Sequence, residues 1–232
     1  MDFANYAFNK AHAVCYAVVS YRTAYLKCHY PREYLAALLT SVLDVPGKIS
    51  EYIAEAKEMG IRVLPPDVNS SEDGFSVSGE DIRFGLAAIK NVGRAFMRQL
   101  VEERQANGPY VSLMDFCERL YDKELNRRAL ESMIQAGAFD SMGFHRSQML
   151  AVYERVVDAV ANERRKNVEG QLDLFGMGVE NVQDEEIAMP NLPEMGKKEL
   201  LALEKQTTGL YLSGHPMDAY ESLAKRANAA KI

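Results

Sequence analysis

The chain has 232 residues, 47% apolar and 26% charged, which supports a sizeable folded core and excludes disorder throughout. Its net charge of −6 argues against a protein that coats nucleic acid wholesale. No apolar run reaches the roughly 18 residues of a membrane span, the start Met1-Asp2-Phe3-Ala4-Asn5 lacks a secretory pattern, and Cys15, Cys28 and Cys117 form no C-x-x-C pair. A reduced, cytoplasmic compartment and no membrane partner are therefore expected.

In chain order, residues 5–27 place Val14, Ala17, Val18, Tyr21 and Tyr25 on a helical stripe, behind the polar cluster Asn9, Lys10 and His12. Pro31 suits the first turn of a second helix, residues 32–43, with Tyr34, Leu35, Leu38, Leu39 and Val42 inward. A third helix runs from Pro46 to Gly60 over Ile49, Tyr52, Ile53 and Ala56, so the three helices should form a compact bundle. Ile61 to Leu64 reads as a strand stopped by Pro65-Pro66. Phe75 to Val77 and Ile82 to Phe84 read as a hairpin, and this β patch is expected to act as a hinge between helical halves. Cys15 and Cys28 fall on apolar helix faces and are expected to pack.

The organising stretch is 83–140. Arg83 to Gly93 and Leu125 to Gly137 each present a helical segment, a glycine-containing turn and a following helix, residues 94–105 and 146–165. Ser112 with Asp115 resembles a capping box for a short helix between them. Amides at a turn that opens a helix favour an anion, because unpaired N–H groups and the helix dipole both point that way. Amides at Val92, Gly93 and Arg94 and others at Gly137, Ala138 and Phe139 are thus expected to face outward and hold two backbone phosphates. Lys90, Arg94, Arg98, Arg127, Arg128 and Arg146 would add charge. Residues 82–146 hold ten Lys/Arg against eight Asp/Glu, whereas 167–196 hold seven acids and no base: a mildly basic middle and an acidic tether. The pattern reads as a tandem helix-hairpin-helix. No histidine or cysteine spacing suits a metal, and no catalytic motif is present.

The tether carries Gln171-Leu172-Asp173-Leu174-Phe175, apolar residues on a segment with no core to join, suited to a preformed groove on a partner. Several blocks then coincide with one family. Phe8 to Ala13, Tyr25-Leu26-Lys27, His29-Tyr30-Pro31, Leu64 to Asp67, Leu125 to Arg128, Ala136 to Asp140, Gln171 to Phe175 and Gly209 to Pro216 resemble, in that order, the middle of the bacterial replicative (C-family) polymerases, the DNA polymerase III alpha subunits.

That resemblance implies a mainly α fold in four parts. Residues 1–75 would be the end of the polymerase fingers, 76–166 the tandem helix-hairpin-helix, 167–196 an acidic linker whose 171–175 peptide docks on the sliding clamp, and 197–232 a lead-in to an oligonucleotide-binding fold. It implies binding of double-stranded primer–template, the clamp and the rest of the polymerase III holoenzyme, with Asn9, Lys10 and His12 near the nucleotide in the intact enzyme. Its Mg2+, deoxynucleoside triphosphates and catalytic carboxylates belong to parts preceding residue 1, so the chain alone should be inactive. The family has a second glycine where Asn91 stands and a serine where Ala11 stands; Asn tolerates left-handed geometry, so a hairpin remains expected. A free-standing helix-hairpin-helix module of a repair protein is the alternative.

Overall fold

The computed structural model describes residues 10–123, 125–170 and 187–220, without the side chains of Pro46, Ala219 and residues 166–170. It is mainly helical: α1 (Lys10–His29), α2 (Pro31–Ser41), α3 (Pro46–Glu58), α4 (Arg94–Asn107), α5 (Leu113–Leu120), α6 (Arg127–Gln135), α7 (Arg146–Gly170) and α8 (Lys197–Thr208). Strands β1 (Val63–Leu64), β2 (Ser76–Ser78) and β3 (Asp81–Arg83) form a sheet of order β1-β3-β2. β1 runs parallel to β3, pairing Val63 with Ile82; β2 runs antiparallel, pairing Val77 with Ile82. Gly79 at φ 62 supplies the left-handed residue of the two-residue turn between β2 and β3.

Helix starts follow their local chemistry. Pro31 opens α2, where its missing N–H costs nothing. Ser112 accepts the Asp115 amide at 3.1 Å while Asp115 Oδ2 accepts the Val111 amide at 3.0 Å, a reciprocal cap for α5. Asn126 caps α6 by accepting the Ala129 amide at 2.8 Å, so that helix starts two residues later than the apolar pattern suggests.

One apolar core runs from Leu35 and Leu39 on α2 through Ile82, Phe84 and Leu100 to Met133 on α6 and Val156 on α7. Tyr110, Phe116 and Phe139 stack edge to face through its middle, each pair of centroids 4.9 Å apart. The β patch is fastened to this core through the buried Phe75, Ile82 and Phe84, although Val77 on β2 stays exposed, instead of hinging two halves. The Val68 amide donates to Ala138 O at 2.8 Å, and Arg104 donates to the carbonyls of Val68 and Ser71. Asn69 bridges both backbone groups of Tyr110. Closing so many backbone polar groups at one joint leaves little freedom for rotation.

The first three helices pack α1 on α2 and α2 on α3, but the core expected from all three is carried by α2 and α3 alone. α2 buries Leu35, Ala36 and Leu39, and α3 buries Ile49 and Ala56, but α1 buries nothing. Its apolar stripe is open, with Val14 55% and Tyr21 71% exposed, and Lys27 ties it to Glu55 on α3. Cys15 and Cys28 are correspondingly exposed, not packed; Cys117 on α5 is the buried thiol. Helical periodicity identifies an apolar face but not what covers it, and nothing among the described residues covers this one. No helix of the described residues is long and apolar enough to cross a membrane.

Candidate nucleic-acid interface

The first hairpin opens with a single 3-10 turn, Leu86–Ala88, where a longer helical segment was expected. Asn91 then adopts φ 66, the only positive φ outside glycine among the described residues. An asparagine reaches this region at lower cost than most residues, and its side chain gains a second use. Asn91 Nδ2 donates to Ser132 Oγ at 3.0 Å, pinning the turn to α6.

Gly93 is the N-cap of α4, extended at φ −74 and ψ 140, with no side-chain cap and no acid in the first turn. A Cβ there would meet nothing within 4 Å, so the fold does not require glycine at this position. Among the described residues, the amides of Gly93, Arg94 and Ala95 find no acceptor; the first bond of the helix runs from the Met97 amide to Gly93 O at 3.1 Å. The result is an exposed, positively polarised helix end.

Cations surround that end. Arg94 pairs with Asp44 at 2.8 Å, the two side chains being 58% and 86% exposed, and Arg98 lies 4.0 Å from Asp73. Such open pairs are each worth about 0–1 kcal/mol and yield readily to a stronger anion. Lys90 donates from its amide to Thr207 O and from Nζ to Gln206 O, so it clamps the last turn of α8 while remaining exposed. On α6, Arg127 pairs with Asp158, and the exposed Arg128 has no ion pair among the described residues.

The second hairpin departs from expectation. Gly137 has the left-handed φ of 81 that closes α6, but the turn faces inward, with Ala136, Gly137, Ala138 and Phe139 all buried. Three of its amides are consumed: Ala136 donates to Ser132 O, Gly137 to Ile134 O and Ala138 to Met133 O, while the Phe139 amide is removed from solvent by burial of the residue. A Cβ on Gly137 would collide with Arg146 Nη2, so glycine is required here by space as well as by φ.

Arg146, expected to face a phosphate, is 5% exposed. Its guanidinium contacts Asp140 at 2.7 Å and Glu204 at 3.1 Å, and it also donates to Gln135 O. Burial disfavours its charge, but the hydrogen bonds and charges of Asp140 and Glu204 outweigh that and keep it protonated. The amides that open α7 are occupied as well. Arg146 N donates to Glu194 Oε2 at 2.9 Å and Ser147 N to Oε1 at 3.3 Å. Partial burial pushes the Glu194 carboxyl up, but the amides of Met195, Arg146 and Ser147 more than compensate and leave it below the ordinary value.

Glu194 and Glu204 carry no local signal in the sequence. One sits in an acidic stretch that reads as a solvated tether, and the other meets its arginine 58 residues away. The stripe Leu201, Glu204, Thr207 and Thr208 is buried and packs α8 onto α6, although only Leu201 among the four is apolar. Residues 171–175 and Asn9 lie outside the described residues. Lys10 and His12 are exposed at the start of α1, His12 with its ring 4.5 Å from Tyr16. No group of three or more metal-ligating side chains occurs among the described residues.

Residues 60–149 match the helix-hairpin-helix motif family, spanning both turns. The match ends within the first turn of α7, the helix that closes the second hairpin. Beyond it, the likeness extends over nearly the whole chain. The DNA polymerase III alpha subunit of Saccharopolyspora erythraea is 44% identical over 229 residues, 96% of this chain and 19% of that protein.

The chain corresponds to a segment of the DNA polymerase III alpha subunits. The subunit of Deinococcus radiodurans is 42% identical over 97% of the chain, and that of Thermus aquaticus 43% over the same share. The chain spans less than a fifth of the length of these relatives: 19%, 17% and 18% respectively. Within that polymerase III alpha segment, the helix-hairpin-helix module presents one open turn and one closed turn.

Proposed function

We propose that this segment holds duplex primer–template DNA by its backbone and, through residues 171–175, docks on a sliding clamp, within a replicative polymerase whose chemistry lies in other parts of the protein. The observation that carries the DNA reading is the uncapped amino end of α4, with unaccepted amides at Gly93, Arg94 and Ala95 beside the Arg94 and Arg98 side chains. Backbone N–H groups and a helix dipole recognise a phosphate without reading bases, so binding is independent of sequence and sensitive to salt. Arg127 and Arg128 extend the positive surface along the start of α6. The buried amides of Gly137 and Ala138 and the paired Arg146 take no part in the contact.

The clamp reading rests on the sequence of Gln171 to Phe175, an anchor amide followed by two adjacent apolar plugs on an acidic tether. Duplex binding and clamp binding through one chain reinforce each other by effective concentration. The whole polymerase would take Mg2+ and deoxynucleoside triphosphates, with Asn9, Lys10 and His12 on the side of the nucleotide.

Fluorescence anisotropy with duplexes of unrelated sequence tests the first half. Affinities should agree within twofold across sequences and fall steeply with salt. Arg94→Gln with Arg98→Gln should weaken all of them alike and flatten the salt dependence, the logarithmic slope dropping by about 0.9 for each phosphate no longer neutralised. Strong discrimination between sequences, or undiminished affinity of the double variant at low salt, would refute it. For the second half, Leu174→Ala with Phe175→Ala should abolish binding to purified clamp, and retained affinity would remove the assignment.

A further inference from the structure

Of the two groups of the second hairpin that attract anions, the opening amides of α7 are satisfied by a later segment of the same chain, and the Arg146 guanidinium is shared between that segment and Asp140 of the hairpin itself. Glu194 accepts from the amides of Arg146 and Ser147, while the next two amides, Gln148 and Met149, both donate to His145 O. The strap around Glu194 has two further fastenings: Ser147 Oγ donates to Pro193 O and Gln148 Nε2 to Pro190 O, both at 2.7 Å.

Glu204, with a fully buried side chain, takes Arg146 through Oε1. Its Oε2 accepts the amides of Leu212 and Ser213 at 2.9 and 3.0 Å, so the chain leaving α8 is held to the same hub. Lys90 of the first hairpin grips the carbonyls of Gln206 and Thr207 at the far end of α8.

From these contacts we infer that the second hairpin is a socket for the chain's own segment 187–215 and not a second phosphate clamp. Nucleic-acid backbone is then gripped by the first hairpin alone, and residues beyond α8 leave the fold in a direction fixed by Glu204. The energetic reason is exchange. A phosphate entering at α7 replaces one anion by another on the same amides, which gains little, and must also break the strap bonds to Pro190 and Pro193. Nor does the inward face of the Gly137 turn offer a substitute, because the Gly137 and Ala138 amides already serve the closure of α6 and Phe139 is buried.

The socket rests on the backbone-binding reading of the first hairpin, and amide hydrogen exchange together with duplex affinity separates the two. In Glu194→Ala, the Arg146 and Ser147 amides should exchange at least tenfold faster than in the unsubstituted chain, while duplex affinity at matched salt stays within twofold. A fivefold or greater rise in affinity with a steeper salt dependence would overturn the socket, since phosphate would then be filling the vacated amides. Unchanged exchange in the variant would overturn it too. If Glu194→Ala fails to fold, Ser147→Ala removes one strap bond alone, that of Ser147 Oγ to Pro193 O, and is read in the same way, with faster exchange of the Met195 amide as the added expectation. Absence of duplex binding by the unsubstituted chain would refute the backbone-binding reading, and the exchange measurement would still decide the socket.

Discussion

Arg146→Met isolates the role of the buried guanidinium. The substitution keeps an unbranched apolar stem and removes the charge, leaving Glu204, whose side chain is wholly inaccessible, facing no cation. Removing one partner of a buried pair typically costs about 3–5 kcal/mol, because the remaining charge is left in a poorly polarisable site. Two features place this case near the lower bound. Glu204 keeps the amides of Leu212 and Ser213, and Asp140, with a side chain 48% exposed, is resolvated when its arginine leaves. A loss of about 3 kcal/mol is therefore expected, which at a urea dependence of about 2–3 kcal/mol per molar lowers the unfolding midpoint by about 1–1.5 M. Circular dichroism during urea titration measures it. Glu204→Gln added to Arg146→Met should recover part of the loss, since the second change removes the orphaned charge. A loss below 1 kcal/mol, or a fall in duplex affinity of the folded variant without a fall in stability, would refute the structural role.

Gly93→Ala should leave the unfolding midpoint nearly unchanged, because the reduced freedom of the unfolded chain and the poorer N-cap oppose each other, each at about 0.5–1 kcal/mol. The new Cβ stands where a phosphate would approach the amides, so duplex affinity should fall severalfold; unaltered anisotropy would count against the open turn as the contact. Burial pushes the Cys117 thiol up to about 12, so a thiol-reactive chromogenic disulfide should titrate two cysteines in the native chain and the third only after denaturation. The depressed Glu194 carboxyl stabilises the strap at pH values above its unfolded pKa, and this stabilisation is lost as pH falls through its lower folded pKa. Exchange of the Ser147 amide, corrected for its intrinsic pH dependence, should accelerate on acidification below about pH 4.5 in the parent but not in Glu194→Ala.

Local chemistry was legible along most of the chain. Pro31, Ser112 and Gly137 mark helix ends at or beside the observed positions, because a cap or a fixed φ acts within three residues of itself. Asn91 was readable as a tolerated left-handed residue for the same reason. Outward amides at Gly93 are expected from a glycine turn that opens a helix, but the same signal at Gly137 leads to a buried turn, so the sequence does not separate the two.

What the sequence alone determined, then, is the position of most helices and turns to within a few residues and which helix faces are apolar, since those depend on neighbours a few positions apart. Tertiary structure alone decided which of two similar glycine turns points outward, that Arg146 serves the fold, and that α1 stays uncovered among the described residues. Those outcomes depend on partners far along the chain, Glu194 and Glu204 above all, and on whether burying a charge is matched by another charge or by an amide in the same place.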